Sequence, residues 1–360
     1  MTGVQTCALP ICSVNGKADT YTYGFQWRPI RDIEVRGNIT RAIRSPAITE
    51  LFTPVSNIFT AVPDPCDSRN VNGGTRPAIR AANCADFYRQ YGLNGSTFQS
   101  IAVSATIPGT LSGSPTLQNE NSNAHTVGIV LQPRAIKGLR MSTDYYTIDI
   151  KNVIANLNAT SIAQGCYDNA DKGNSFCGRI QRDSAGQITG ITTGYVNGGY
   201  LNFTGLASEI VYETNLSDWG IEYGGKASIA ITGTRTRRLE SSANKVVNTN
   251  SLGEVGNSVN QAQLTLGYNK DLWDFSLQGS YIGPAVFANT DISETRDQRS
   301  VSSYFLYSGS VGYEFSKKLT ARVAVTNLFD RLPPYPLAGA AIGVYDILGR
   351  RFSATVNYKF

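Results

Sequence analysis

Few stretches of this 360-residue chain have the residue types and spacing that chemistry needs. "GIEYGGKA" (220–227) nearly spells a phosphate loop, where backbone amides cradle a phosphate ahead of a Lys and a hydroxyl residue. Ala227 stands where the hydroxyl is required, and the setting alternates like a strand. "DNADKG" (168–173) approaches a calcium loop, but Ala170 and Lys172 fill positions that need oxygen ligands. His125 is the single histidine and builds no triad without a placed Ser and Asp. It is expected to open a strand beside a loop, solvated or interfacial. These patterns give no catalytic residue, no metal ligand and no cofactor, and the chain is read as a non-enzyme.

The cysteines carry more. Cys66 and Cys84 flank "DSRNVNGGTRPAIRAAN", and Cys166 and Cys177 flank "YDNADKGNSF". Both intervals are polar and read as loops. Neither pair is a CxxC or lies in a cluster of histidines, so zinc is a poor fit. Two local disulfides in an oxidising compartment fit better, each worth about 3 kcal/mol in the chain-entropy account. The competing reading is unpaired thiols. Cys7 and Cys12 belong to "MTGVQTCALPIC", which has no charge and lacks the basic start and apolar run of a signal peptide. That stretch resembles a translated sequencing-adapter peptide. Residues 1–12 are therefore set aside as a non-native segment, with the domain proper at 13–360.

What must hold any such residues is an extended backbone. "TYTYGFQW" puts Tyr21, Tyr23, Phe25 and Trp27 on one face. "IEVRGNITRAI" puts Ile33, Val35, Ile39 and Ile43 on one face and Glu34, Arg36, Asn38 and Thr40 on the other. "HTVGIVLQ", "LRMSTDYYTIDI", "GLASEIVYETNL", "IEYGGKASIAITG", "AQLTLGY", "LWDFSLQGSY", "FLYSGSVGYEF" and "LTARVAVTNLF" continue the alternation. The last strand, 345–360, ends "RRFSATVNYKF", with Phe352, Ala354, Val356, Tyr358 and Phe360 on one side. The count is about eleven strands, many ~10 residues or longer.

Connections alternate in length. "RPIRD", "PRAIKG", "NLSDWG", "NKD" and "SKK" are short; 45–121, 152–198, 237–258, 284–300 and 330–344 are long and polar. Long alternating strands with short turns on one side and long loops on the other are the pattern of an outer-membrane β-barrel. A soluble or secreted sandwich, as in a binding protein or adhesin, also alternates, but its strands are shorter, ~5–6 residues. Trp27, Tyr268, Trp273, Tyr281, Tyr313, Phe315, Tyr358 and Phe360 sit near strand ends, as interfacial girdles do. Glu34, Arg36, Lys226 and Arg322 fall on the polar face, which in a barrel is wet or packed on a polar plug. The excess of 32 basic over 27 acidic residues is too mild to call for nucleic acid.

Four stretches together resemble the C-terminal half of TonB-dependent outer-membrane receptors. "RAIRSPAITELFTP" (41–54) resembles the family's Arg-aromatic-Arg-x-Pro-x-x-x-Glu-Leu-Phe segment, with Ile43 in place of the aromatic. "GSPTLQNENSNAHTVGIVLQP" (113–133) resembles its Gly-x-Pro-x-Leu-x-x-Glu segment, with Asn119 where Pro is common. "VTNLFDRLPP" (325–334) and "GRRFSATVNYKF" resemble its Asn-Leu-Phe-Asp motif and final strand.

The resemblance implies an all-β, antiparallel transmembrane barrel of which this chain supplies about eleven of 22 strands, the plug and first half being absent. It implies TonB-dependent active uptake of a scarce, large nutrient such as a ferric siderophore or oligosaccharide, in the outer membrane of a Gram-negative bacterium. A passive porin is the alternative within barrels. The implied partners are membrane lipid, the plug and first barrel half, the TonB complex, and the barrel-assembly machinery. That machinery would read Val356, Tyr358 and Phe360 as its signal. Further expectations are a helical turn near 159–166, and Phe352, Val356, Tyr358, Phe360, Val323 and Val325 facing outward. Arg322, Ser353, Thr355 and Asn357 are expected to face inward.

Overall fold

The structure is a computed structural model describing residues 11–12, 16–17, 19–291, 297–335 and 343–360. Eleven strands form the backbone of one sheet, each antiparallel to its neighbour in the chain. They are β1 (Tyr21–Ile30), β2 (Ile33–Arg44), β3 (Glu120–Leu131), β4 (Leu139–Leu157), β5 (Ile188–Asn215) and β6 (Lys226–Ser242). Then follow β7 (Asn260–Lys270), β8 (Trp273–Ile282), β9 (Tyr304–Ser316), β10 (Leu319–Thr326) and β11 (Arg351–Tyr358). The sheet is open, and β1 and β11 are its edges among the described residues. Strand number, order and the alternation of short and long connections match the sequence expectation. Closure into a barrel is not seen in this chain.

Several boundaries differ from those expected. β4 and β5 run for 19 and 28 residues, so the loop expected at 152–198 shrinks to the segment between Leu157 and Ile188. The first part of β5 was hidden because "ITGITTGYVNGGY" is rich in Gly and Thr and does not alternate, whereas its second part is the expected strand "GLASEIVYETNL". The first part is held by β4 on one side and by the short strand Ile107–Ser112, which pairs with it in parallel. The last strand covers Arg351–Tyr358 rather than 345–360. Gly349, in the left-handed region, and an Asp346–Arg351 ion pair of 2.8 Å shape the turn before it. His125 does not open its strand, which begins at Glu120. Cys7 lies outside the described residues, and Cys12 is the second residue of a two-residue strand paired with Gly16–Lys17.

Helix is sparse: α1 (Ile48–Phe52), α2 (Pro77–Tyr91) and α3 (Ala159–Tyr167). α3 is the expected helical turn, capped by the Asn158 side chain accepting from Ser161 N at 2.8 Å. α2 corrects the reading of 67–83 as loop. Pro77 starts it, where a missing N–H costs nothing, and Gly92 with φ 66° ends it.

Register fixes two faces, because residues opposite one another in an antiparallel pair share a side. Trp27–Val35–Ile129, Tyr23–Ile39–His125, Ile210–Ile231–Leu264, Phe275–Val311–Val323 and Val325–Phe352 lie on one face. Gln26–Arg36–Gly128–Asp144 and Asp274–Gly312–Arg322–Thr355 lie on the other. The apolar face is uncovered: Tyr23 and Trp27 are each 62% exposed, Val356 68% and Phe352 73%. On that face hydroxyls satisfy each other across strands, Thr143 with Ser208 and Thr147 with Thr204, both at 3.0 Å.

The buried core lies elsewhere. Val62, Ala102, Ile107, Leu157, Ile162, Ile188 and Ile191 pack together where loop 53–119 meets loop 158–187. A second cluster joins the Cys66–Cys84 bridge to Phe87 and Phe98. A soluble fold hides its apolar sheet face; here the hidden core is in the loops and the sheet face is open.

Candidate functional site

Two regions carry polar side chains in organised arrays: the polar face of the sheet, and the unit built by the two disulfide-bearing loops. On the polar face, Arg36 Nε and Nη2 donate to the two Asp144 oxygens at 2.9 and 2.5 Å. The partners sit on β2 and β4, two strands apart. Gly128 of β3 lies between them in register, and a Cβ there would come within 2.7 Å of Asp144 Cγ. The arrangement repeats across Gly312, where Arg322 of β10 reaches Asp274 of β8 and donates to Ser310 Oγ at 2.8 Å. Glu34 pairs with Arg28 at 2.5 Å, and Arg140 with Glu209 at 3.4 Å. Glu34, Arg36, Lys226 and Arg322 therefore all lie on the face assigned to them. The first two and the last are ion-paired; Lys226 opens β6 opposite Asn269 and Asn215.

The polarity of the faces reverses toward the long-loop ends. Beyond Tyr145 and His125, Asp149, Lys151, Asn123 and Asn202 continue the apolar-face parity, while Tyr146, Ile148, Ile150, Leu201 and Phe203 continue the other. The Tyr146 and Phe203 rings lie 5.3 Å apart. From Leu139 to Tyr145 the apolar stretch of β4 is about 20–24 Å long at ~3.4 Å per residue. Sequence reading missed this switch, whose local sign is the adjacent Tyr145 and Tyr146, where the apolar residues of β4 pass from odd to even positions.

The loop unit is locked by buried charge. Arg80 of α2 donates Nε and Nη2 to both Asp168 oxygens at 2.5 and 2.8 Å, and Thr75 N donates to Asp168 Oδ2 at 3.2 Å. Asp168, the first residue of the calcium-like stretch, is thus committed to a cation of the protein itself. Arg182 donates to both oxygens of Asp64 at 2.8 Å, and its guanidinium lies 4.4 Å from the Phe87 ring centroid. Burial alone would lower the Arg182 guanidinium; Asp64 more than offsets this and holds it above its usual value. Both disulfides expected from the sequence are formed: Cys66–Cys84 with Cα atoms 5.3 Å apart and Cys166–Cys177 at 4.7 Å. A pocket of about 380 Å³ opens between α2 and α3, walled by Phe87, Tyr91, Tyr167, Lys172 and Arg182.

The motifs of the sequence are joints rather than chemistry. Arg44 donates to Glu120 at 2.7 Å through both Nε and Nη2 and to Glu50 at 3.0 Å, bridging "RSPAITELF" to "GSPTLQNE". Glu50 in turn accepts from Ala47 N at 2.7 Å, closing the start of α1. Leu51 and Leu117 bury together against Ile154, and Gly113 N donates to Thr53 O at 2.9 Å. A Cβ on Gly113 would lie 2.7 Å from Leu51 O. Burial alone would raise the Glu120 carboxyl, but Arg44 and the Ile154 N–H outweigh that and hold it below its ordinary range. In "NLFD", fully buried Asn327 donates to Arg331 O at 3.0 Å and accepts from Arg331 N at 2.7 Å, while Asp330 accepts from Arg350 N at 2.8 Å. That turn stitches the end of β10 to the entry of β11. Val356 and Tyr358 lie on the apolar face with Phe352, opposite Ala321, Leu319 and Val325, as expected. Ser353, Thr355 and Asn357 share the face of Arg322.

A family model described as "TonB dependent receptor-like, beta-barrel" matches residues 11–328. The chain belongs to the TonB-dependent receptor β-barrel family. Solved members share its fold at low identity. A variant of the ferric enterobactin receptor of Pseudomonas aeruginosa is 15% identical with a TM-score of 0.59, over 97% of this chain and 41% of that one. The siderophore receptor PirA of Acinetobacter baumannii is 14% identical, with TM-score 0.57 over 97% and 42%. The FrpB iron transporter of Neisseria meningitidis is 13% identical, with TM-score 0.53 over 96% and 40%. The chain thus spans about two fifths of the length of these receptors. No curated protein matches the chain in sequence.

Proposed function

We propose that the chain forms the C-terminal half of the barrel of an outer-membrane receptor that takes up a scarce, large nutrient by TonB-dependent transport, an iron–siderophore complex foremost. The observation that carries the reading is the sheet's inverted burial: an uncovered apolar face across eleven strands, opposite a face of ion pairs. An apolar face of that extent in water is an aggregation hazard, whereas against lipid it is the stable arrangement. Its polar face then lines the lumen, where a plug domain and the first half of the barrel are the partners. Val356, Tyr358 and Phe360 are proposed as the end read by the barrel-assembly machinery. Iron complexes are put ahead of oligosaccharides because the neighbours of like fold are named as receptors or transporters for iron or its siderophores.

The test is uptake of radiolabelled iron, supplied as a panel of ferric siderophores, by cells expressing the full-length protein under iron limitation. Saturable uptake that stops when TonB is deleted is the expected result. Uptake indifferent to TonB would identify a passive pore, and a protein that stays soluble without detergent would overturn the membrane reading altogether.

A further inference from the structure

The polar face divides into sectors that differ in how charge is met. Arg36, Arg44, Arg140, Arg322 and Arg351 are the arginines that strand register places on it. Each is ion-paired, with Asp144, Glu120, Glu209, Asp274 and Asp346 in that order. Arg237 has no residue opposite it, since Thr204 faces Arg238 and Gly205 faces Thr236, and register assigns it to neither face. Lys226 stands apart at the short-turn end of β6.

Between the paired sectors the wall is uncharged. On β6, β7 and β8, Thr234 is opposite Gln261, Thr232 is opposite Gln263, and Thr265 is opposite Gln278. Thr234 is also opposite Ala207, and Ala207 is opposite Asp144, so this array shares the face of the ion pairs. All six side chains are exposed, and none makes a hydrogen bond among the described residues. Toward the loop end the same face turns apolar. Leu239 of β6 is opposite Phe203, which is opposite Ile148, and the Phe203 ring lies beside that of Tyr146. Along β6 the patch and the array are continuous, from Leu239 through Thr236 and Thr234 to Thr232.

That combination is a poor path for an anion. A trianion leaving water needs cations, and each arginine here is held by a carboxylate that its withdrawal would leave unpaired. Amides donate and accept, as do hydroxyls, and they exchange water for the polar groups of an uncharged ligand at little net cost. The apolar patch covers hydrocarbon parts of the same ligand. We propose that the transported nutrient passes along the β6–β8 sector of this wall and is an uncharged iron complex with hydroxamate ligation. Three monoanionic hydroxamates balance ferric iron, whereas three dianionic catecholates leave a trianion. The inference rests on the uptake reading above and narrows its substrate class.

The test is radioactive iron uptake by cells expressing the full-length protein, with a neutral ferric trihydroxamate and a ferric tris-catecholate supplied separately at saturating concentration. The maximal rate is read rather than half-saturation, because a ligand arriving from the loop side is captured before it meets the array. Wild type should take up the neutral complex about tenfold faster or more. Gln263→Lys with Gln278→Lys sets two unpaired cations in the array and should narrow that ratio about tenfold. A heat-modifiable band on gels confirms that the variant is folded. TonB-dependent uptake of the trianion by wild type at an equal or greater rate would overturn the proposal and leave the uptake reading standing. An unchanged ratio in the folded lysine pair would overturn it too, and equal slowing of both complexes would assign the array to the plug instead. Uptake of neither complex would remove the iron reading, and this inference with it.

Discussion

Arg36 and Asp144 reach each other across Gly128, two strands bridged over a third that contributes no side chain. The bidentate geometry at 2.9 and 2.5 Å depends on that gap. Gly128→Val should push the Asp144 carboxylate aside and separate the pair. Both partners are partly solvated, so the electrostatic loss is about 1 kcal/mol or less, with steric strain added. The two effects separate in a double-mutant cycle: in an Asp144→Asn background, Gly128→Val should cost measurably less than in wild type. Equal costs in the two backgrounds would show that the glycine serves only backbone packing.

The Arg80–Asp168 pair is a different case, because its side chains are 6% and 0% exposed. Arg80→Met would leave a buried carboxylate without its cation, at a cost of about 3–5 kcal/mol to the loop unit. Arg80→Met with Asp168→Leu should recover most of it, since two apolar groups replace two charges. The readout is limited proteolysis of loops 53–119 and 158–187 in the folded receptor. Rapid cleavage in the single variant and slow cleavage in the double is expected; cleavage as slow as wild type in the single variant would mean that the disulfides alone hold the unit.

Acid should loosen the same unit through Asp67. The Arg69 side chain, with the N–H groups of Arg69 and Ser100, holds its carboxyl down at about 2, against the opposing effect of burial. Its ordinary value is 3.8. A depressed carboxyl stabilises the fold fully above its unfolded value, and that stability is lost as pH falls through the folded one. The window is therefore pH 4 down to 2, for about 1–2 kcal/mol. Hydrogen exchange at the Ser100 amide should accelerate across it. In Asp67→Asn that amide should exchange faster at neutral pH and lose the acid step.

Strand number and faces were legible because alternation is a direct consequence of backbone geometry, and a two-environment sheet enforces it residue by residue. Phe352, Val356 and Tyr358 could hardly be read otherwise. The disulfides were legible because each pair closes a short interval. α2 was not, although Pro77 and Gly92 mark its ends. Its buried stripe is Arg80, Cys84 and Phe87, and an arginine in the stripe hides the apolar period. The partners of Arg80 and Arg182 lie 88 and 118 residues away, so no local pattern announces them. The charges of the polar face were visible, but their pairing across Gly128 and Gly312 depends on register between strands. Likewise β6 carries a bulge where Thr204 and Gly205 of β5 face Arg238 and Thr236, and the polar run 234–238 leaves no trace of it.

The two sides of β11 give the decisive contrast for the membrane reading. Val356 is opposite Ala321 on the apolar face, and its neighbour Thr355 is opposite Arg322 on the polar face. An arginine at 356 would meet hydrocarbon, costing about 2–4 kcal/mol near midplane, whereas one at 355 would meet the hydrated side. A one-residue slip would exchange every side chain of the strand, so the register admits one assignment. Val356→Arg in the full-length protein should therefore reduce the folded, heat-modifiable form in outer-membrane fractions well below Thr355→Arg. Thr355→Arg has its own cost, the repulsion from Arg322, and Thr355→Gln controls for it at the same position without charge. Removing Phe360 should also lower assembly, because it takes away an aromatic that packs 5.3 Å from Tyr358 at the end of the proposed recognition strand. Equal accumulation of Val356→Arg and Thr355→Arg would count against the lipid-facing assignment. Normal assembly without Phe360 would confine the signal to Val356 and Tyr358.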